Sequence, residues 1–93
     1  IGAADALQFG LVWKVYADDQ LQAEARKLAE HLAKMPTRAY AMIKQALNGT
    51  YERTLSEQLE LEATLQSEAV KTEDATEGVR AFVEKRPPDF KGR

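Results

Sequence analysis

Residues 54–70 read Thr54-Leu55-Ser56-Glu57-Gln58-Leu59-Glu60-Leu61-Glu62-Ala63-Thr64-Leu65-Gln66-Ser67-Glu68-Ala69-Val70. The opening Thr54 and Glu57 form a capping box, in which a hydroxyl and a carboxylate each satisfy a backbone amide that the first helical turn leaves free. A long helix is expected to begin there. Leu55, Leu59, Ala63 and Val70 lie along one stripe of it, while Leu61, Leu65 and Ala69 carry apolar surface well round the cylinder. A single neighbouring helix does not cover so wide a face, so another chain or a further domain is expected against the remainder.

Upstream of this helix, Tyr40, Ile43, Ala46 and Leu47 align at helical spacing between Pro36 and Gly49, which predicts a helix from about Thr37 to Asn48. Asp18 and Asp19 supply N-cap chemistry for a preceding helix whose Leu21, Ala25, Leu28, Ala29 and Leu32 form a stripe expected to be buried. The segment Leu11-Val12-Trp13-Lys14-Val15-Tyr16 alternates as a short strand or extended link would. Before it, Ala3 to Phe9 reads as a short helix stopped by Gly10.

Downstream, Thr72 is placed to cap a last helix with Ala75, Val79, Phe82 and Val83 facing inward, ended by Pro87-Pro88. Gly78 sits inside that helix. An interior glycine costs about 1 kcal/mol relative to alanine, which suggests either close approach of another backbone or group or a glycine merely tolerated at an exposed position. The expected fold is all-α: one domain over residues 1–93, a small bundle of four to five helices with one short extended segment near the N-terminus.

Composition excludes several classes of function. The formal net charge of -2 lacks the basic excess of a general nucleic-acid binder. No apolar run reaches the roughly 18 residues of a membrane span. The absence of cysteine removes disulfides and thiolate chemistry and fits the reducing cytoplasm, the expected location. His31 is alone, so a metal site has no second histidine or cysteine to draw on. No nucleophile elbow, phosphate-binding glycine loop or dinucleotide fingerprint occurs. Glu57, Glu60, Glu62 and Glu68 read as a solvated face. Only the C-terminal segment gathers charge of one sign: Arg80, Lys85, Arg86, Lys91 and Arg93, with Phe82 and Phe90 nearby. Those cations complement a helix dipole and would also suit a phosphate-bearing ligand.

The run Asp74-Ala75-Thr76-Glu77-Gly78-Val79-Arg80-Ala81-Phe82-Val83-Glu84-Lys85-Arg86, followed by Pro88 and Phe90 to Arg93, resembles the end of enoyl-CoA hydratase/isomerase proteins, the crotonase superfamily. Ala4 to Leu7, Gly10 to Val12 and Pro36 to Lys44 extend the likeness along the chain. Gly10 to Val15 and Thr54 to Glu62 are most similar to the branch of ring-1,2-epoxyphenylacetyl-CoA isomerases of phenylacetate breakdown. The resemblance implies a C-terminal helical lid and oligomerisation domain, with coenzyme A thioester as substrate of the full-length enzyme and no covalently bound cofactor. An N-terminal core would supply the oxyanion-hole amides and proton-moving carboxylates. None of its segments is in the sequence, so no catalytic residue is expected here and the piece alone should be inert.

The same resemblance implies a homo-oligomer, a trimer or dimer of trimers when full length, and a fragment able to self-associate or swap helices. It places the family's ligand lysine on Lys85, toward the adenosine-phosphate end of CoA. The aromatic residue that some hydratases set against the adenine corresponds to Gln66, a departure from the pattern. Taken without the resemblance, the residues also admit an autonomous helical interaction module that assembles through the wide apolar face of residues 55–70.

Overall fold

The computed structural model describes all residues, 1–93, and is all-α. Its helices are α1 (Ala3–Gln8), α2 (Asp18–Ala33), α3 (Thr37–Asn48), α4 (Leu55–Ala69) and α5 (Glu73–Glu84), with a single 3-10 turn at Thr50–Glu52. The contacts divide the chain into two units, residues 1–31 and 32–93.

In the first unit, α1 ends on Gly10 at φ 72. The Leu11 amide donates to the Ala6 carbonyl at 2.9 Å and the Gly10 amide to that of Leu7 at 3.1 Å, the paired bonds of a Schellman motif. Leu11 to Tyr16 form no strand; the segment is an irregular link with bends at Leu11 and Trp13. Lys14 sets its ammonium 5.0 Å from the Trp13 ring centroid. α2 starts one residue earlier in its bonding than expected: the Ala17 carbonyl accepts from the amides of Gln20 and Leu21 at 2.9 and 3.0 Å. Asp18 and Asp19 therefore lie within the first turn, where their charge suits the helix N-terminus.

The expected burial of the α2 stripe does not hold. No residue of α2 is buried, and Leu21 and Leu32 are exposed. Helical periodicity identifies the apolar face of a helix without specifying what covers it.

In the second unit, α3 and α4 pack as a helical hairpin. The expected bounds of α3 match, and the capping box is formed: the Thr54 amide donates to Glu57 Oε2 at 2.8 Å, and the Glu57 amide to Thr54 Oγ1 at 3.3 Å. These hydrogen bonds to the Thr54 amide and hydroxyl hold the Glu57 carboxyl below its ordinary range. The C-terminal end of α3 is closed by the linker and α4 together, because Arg53 Nη1 and Gln58 Nε2 both donate to the Ala46 carbonyl, at 3.1 and 3.3 Å. Leu65 is the buried residue of α4. Leu61 and Ala69 are half-buried, whereas Leu55, Leu59 and Val70 remain exposed, as the width of the apolar face predicts.

Thr72 joins α4 to α5. Its hydroxyl donates to the Ala69 carbonyl at 2.7 Å and accepts from the Ala75 amide at 3.0 Å. Here the expected orientation of α5 is reversed: Val79, Phe82 and Val83 are 68%, 84% and 73% exposed, while Asp74 and Ala81 are 4% and 2% exposed. The protected side of α5 is Asp74, Glu77, Gly78 and Ala81, spaced as one helical face. Polar groups select that face because the chain beyond α5 folds back along it and offers them amide donors.

Candidate functional site: the α5 terminus and the returning tail

Two carboxylates on α5 hold the tail. Asp74 accepts from the backbone amides of Lys91 and Gly92 at 2.6 and 2.7 Å, and its own amide donates to the Arg93 carbonyl at 2.9 Å. Both carboxylate oxygens are thus used by main-chain donors. Glu77 receives a bidentate grip from Arg86, with Nη1 2.6 Å from Oε1 and Nη2 3.0 Å from Oε2. The Asp89 amide adds a bond to Glu77 Oε1 at 2.9 Å. Charge-assisted bonds of this kind are the strong class, and the fork geometry of arginine adds direction to them.

The electrostatic result is clear. The Arg86 side-chain bonds, and after them the Asp89 amide, hold the Glu77 carboxyl down at about 2. The Arg86 guanidinium is in turn pushed up by its bonds to Glu77 and Glu84. The pair stays charged across the whole neutral range.

Around these contacts the tail is fitted closely. A Cβ at Gly78 would lie 3.6 Å from the Phe90 ring, so the approaching group expected at that glycine is Phe90. Gly92 has φ 75, and a Cβ there would fall 2.6 Å from Thr37 Oγ1. A side chain at Gly92 would be strained by the backbone conformation and would crowd Thr37 at the N-terminus of α3.

The helix end itself carries Lys85. Its amide donates to the Phe82 carbonyl at 3.3 Å and the Arg86 amide to that of Ala81 at 3.1 Å, again a Schellman motif. Its φ is 53, and it is the non-glycine residue with positive φ in this chain. The left-handed conformation costs an L-residue roughly 1–2 kcal/mol, which is why glycine is favoured there. The side chain is exposed.

The positive cluster of the C-terminal segment is largely neutralised in three dimensions. Arg86 pairs with Glu77 and Glu84, Lys91 with Asp89 at 2.7 Å, and Arg93 with Glu73 at 2.8 Å. Lys85 and Arg80 are left without an ion pair. Phe82, two residues before the end of α5, is fully on the outside, and Phe90 packs inward. Gln66 lines a hollow with Ala69, Val70, Ala75 and Phe90, and Lys85 is not on its wall. His31 is exposed in the last turn of α2. No grouping of three or more His, Asp or Glu side chains is arranged to hold a metal ion, and no helix is long and apolar enough to cross a membrane.

Sequence reading missed Asp74 and Glu77 as organising residues. The available signal was their spacing: with Gly78 and Ala81 they make an i, i+3, i+4, i+7 set, which polar identity disguised as a solvent face.

Comparison with known proteins places this arrangement. The enoyl-CoA hydratase/isomerase family matches residues 1–93. A "probable enoyl-CoA hydratase" of Rhodobacter capsulatus is 44% identical over 93 residues, covering 100% of this chain and 36% of the relative. The 1,2-epoxyphenylacetyl-CoA isomerase of Escherichia coli is 42% identical over the same length, with the same 100% and 36% coverage. An enoyl-CoA hydratase/isomerase structure from Mycobacterium paratuberculosis superposes with a TM-score of 0.90 at 31% identity, covering 100% of this chain and 37% of that one. The enoyl-CoA hydratase structure from Bacillus anthracis gives a TM-score of 0.88 at 32% identity, covering 100% and 36%. The chain thus spans about a third of the length of the relatives it matches.

Proposed function

The chain belongs to the enoyl-CoA hydratase/isomerase family, and from that premise we propose that it serves as the C-terminal helical lid and oligomerisation part of an enzyme acting on acyl-CoA thioesters. On this reading the thioester-polarising amides and the proton-moving carboxylates belong to a core that precedes Ile1, and residues 1–93 cover the CoA site and form subunit contacts of a trimer. The observation that carries it is the unpartnered apolar ridge of Val79, Phe82 and Val83 on α5, exposed to 68%, 84% and 73%. Water-exposed rings and branched side chains at helical spacing are the mark of a surface that another body covers.

Lys85 is the proposed ligand contact, toward the adenosine-phosphate end of CoA. Its supports are position and availability: it sits at the motif lysine, is exposed, and is free of any ion pair. The proposed reaction is that of the ring-1,2-epoxyphenylacetyl-CoA isomerases, in a cytoplasmic enzyme; the hydratase relative at 44% identity and the isomerase at 42% make the competing reaction hydration.

The test is to read the sequence upstream of Ile1, express the whole protein, and assay both reactions beside the isolated 93 residues. Turnover by the whole protein with none by the fragment is expected. A fragment that turns over either thioester, or an upstream region without a thioester-polarising core, defeats the reading.

A further inference from the structure

Helix packing does little to hold α5. α3 and α4 pack extensively on each other, and no pairing of comparable extent involves α5. Its protected face has no large apolar side chain to interlock with a neighbour, since it consists of Asp74, Gly78 and Ala81 beside Glu77. The tail lies along that face instead. Arg86 and the Asp89 amide are tied to Glu77, the Lys91 and Gly92 amides to Asp74, and the Arg93 carbonyl to the Asp74 amide.

The tail also reaches the α3–α4 hairpin. Phe90 approaches Gly78 to 3.6 Å of a Cβ position and borders a hollow of about 270 Å³, whose walls include Pro36 and Ala39 at the α3 start and Gln66 and Ala69 of α4. Gly92 lies against Thr37. The ring between α5 and the hairpin therefore belongs to the tail, not to α5.

Yet α5 has large apolar side chains of its own. Val79, Phe82 and Val83 centre about a third of a turn round the helix from the protected face, and all three face water. A helix oriented by apolar burial alone would turn that stripe toward the hairpin. Ala75, at the margin between the two faces, already borders the hollow. Phe82 lies on the same side two turns later, so a roll about the helix axis carries it inward.

We propose that residues 86–93 are a strap that holds α5 with its apolar ridge turned outward, and that α5 rolls to bury Val79, Phe82 and Val83 when the strap is released. Phe90 and the tail backbone occupy the place the ridge would take, and Asp74 and Glu77 are the buckle. The device concerns this chain's own faces and operates whether or not a partner covers the ridge.

The chain has no cysteine, so single reporters placed on either side of α5 can be compared by their rates of reaction with a thiol reagent at one pH. Val83→Cys reports the ridge and Ala81→Cys the protected face. With the strap intact, Ala81→Cys should react at least about tenfold more slowly than Val83→Cys, because a thiol reacts only when it is accessible. Adding Asp74→Ala, which removes the acceptor of two tail amides, should slow Val83→Cys about tenfold and speed Ala81→Cys by a similar factor. Helix content by circular dichroism should stay level.

If Ala81→Cys speeds up while Val83→Cys keeps its rate, α5 comes away without turning and the roll is overturned. No change in either reporter overturns the strap. A fast Ala81→Cys in the otherwise unaltered chain denies the orientation itself and has the same result. Should Asp74→Ala lose its helix content, Asp74→Asn, which keeps one acceptor oxygen, decides by the same two rates. Labelling needs no CoA, so its failure leaves the acyl-CoA reading standing, and a failure of that reading leaves the strap.

Discussion

α1 and α5 end in the same way and are built from opposite materials. Each closes with a residue in the left-handed region and a Schellman pair of hydrogen bonds, Leu11 to Ala6 in one case and Arg86 to Ala81 in the other. At α1 the left-handed residue is Gly10, and a Cβ there would meet nothing within 4 Å. At α5 it is Lys85, held by two acidic side chains of its own helix and the tail they grip. The first end is local and self-sufficient. The second keeps a strained charged residue in place through contacts between residues nine to eighteen positions apart. Gly10 takes the left-handed conformation without strain, whereas Lys85 takes it with a side chain that is exposed.

Removing the scaffold under the α5 end gives the largest expected effect. Asp74→Ala removes the charged acceptor of the Lys91 and Gly92 amides and frees the tail, at a cost of about 2–4 kcal/mol for two hydrogen bonds to a carboxylate. Denaturant unfolding and hydrogen exchange at those two amides check it, and α1 should not respond. Unchanged exchange at Lys91 and Gly92 would mean that the two ends do not differ in their support.

Next comes the α1 end. Gly10→Ala introduces a Cβ into a φ of 72 and should weaken the Leu11 amide bond by about 1 kcal/mol, read as faster exchange of that amide. No steric clash contributes, so an effect several times larger would contradict a purely conformational role.

Lys85→Gly is the mirror experiment and has the opposite sign. Relief of the left-handed strain, offset by the greater freedom of glycine in the unfolded chain, should stabilise the α5 end by about 0.5–1 kcal/mol. The Arg86 amide reports it. Destabilisation would show that Lys85 contributes contacts that outweigh its strain.

The smallest effect is expected from acid. Glu77 is depressed from an ordinary 4.5 to about 2, so its contribution is fully present above 4.5 and is lost as the pH falls toward 2. Arg86 shifts and α5-end protection should titrate across that window, while the α1 end stays level. The loss is modest because the pair is partly open to solvent, which screens it. In Glu77→Gln the transition should vanish; a transition that remains belongs to another carboxylate.

Much of the fold was legible in short stretches. Thr54 with Glu57, Thr72, Gly10 and Pro36 mark helix boundaries by chemistry acting within a turn, and the α3 and α4 bounds follow from them. The face of α5 was not legible. Val79, Phe82 and Val83 satisfy every rule for an inward stripe, and Asp74 and Glu77 look solvated until the returning tail brings them amide and guanidinium donors. The basic C-terminal cluster misled partly for the same reason, since Arg86 pairs with Glu77 and Arg93 with Glu73 only after the tail folds back, while Arg86–Glu84 and Lys91–Asp89 are pairs between near neighbours.

The sequence by itself determined the bounds of α3 and the starts of α4 and α5, because capping bonds and proline or glycine constraints act over three or four residues. It also carried the family motif of residues 74–86 and its lysine. Tertiary structure alone decided which side of α5 faces inward and which carboxylates hold the returning tail. Those outcomes depend on hydrogen bonds between residues far apart in the chain, and no local pattern encodes which distant donor will reach which carboxylate.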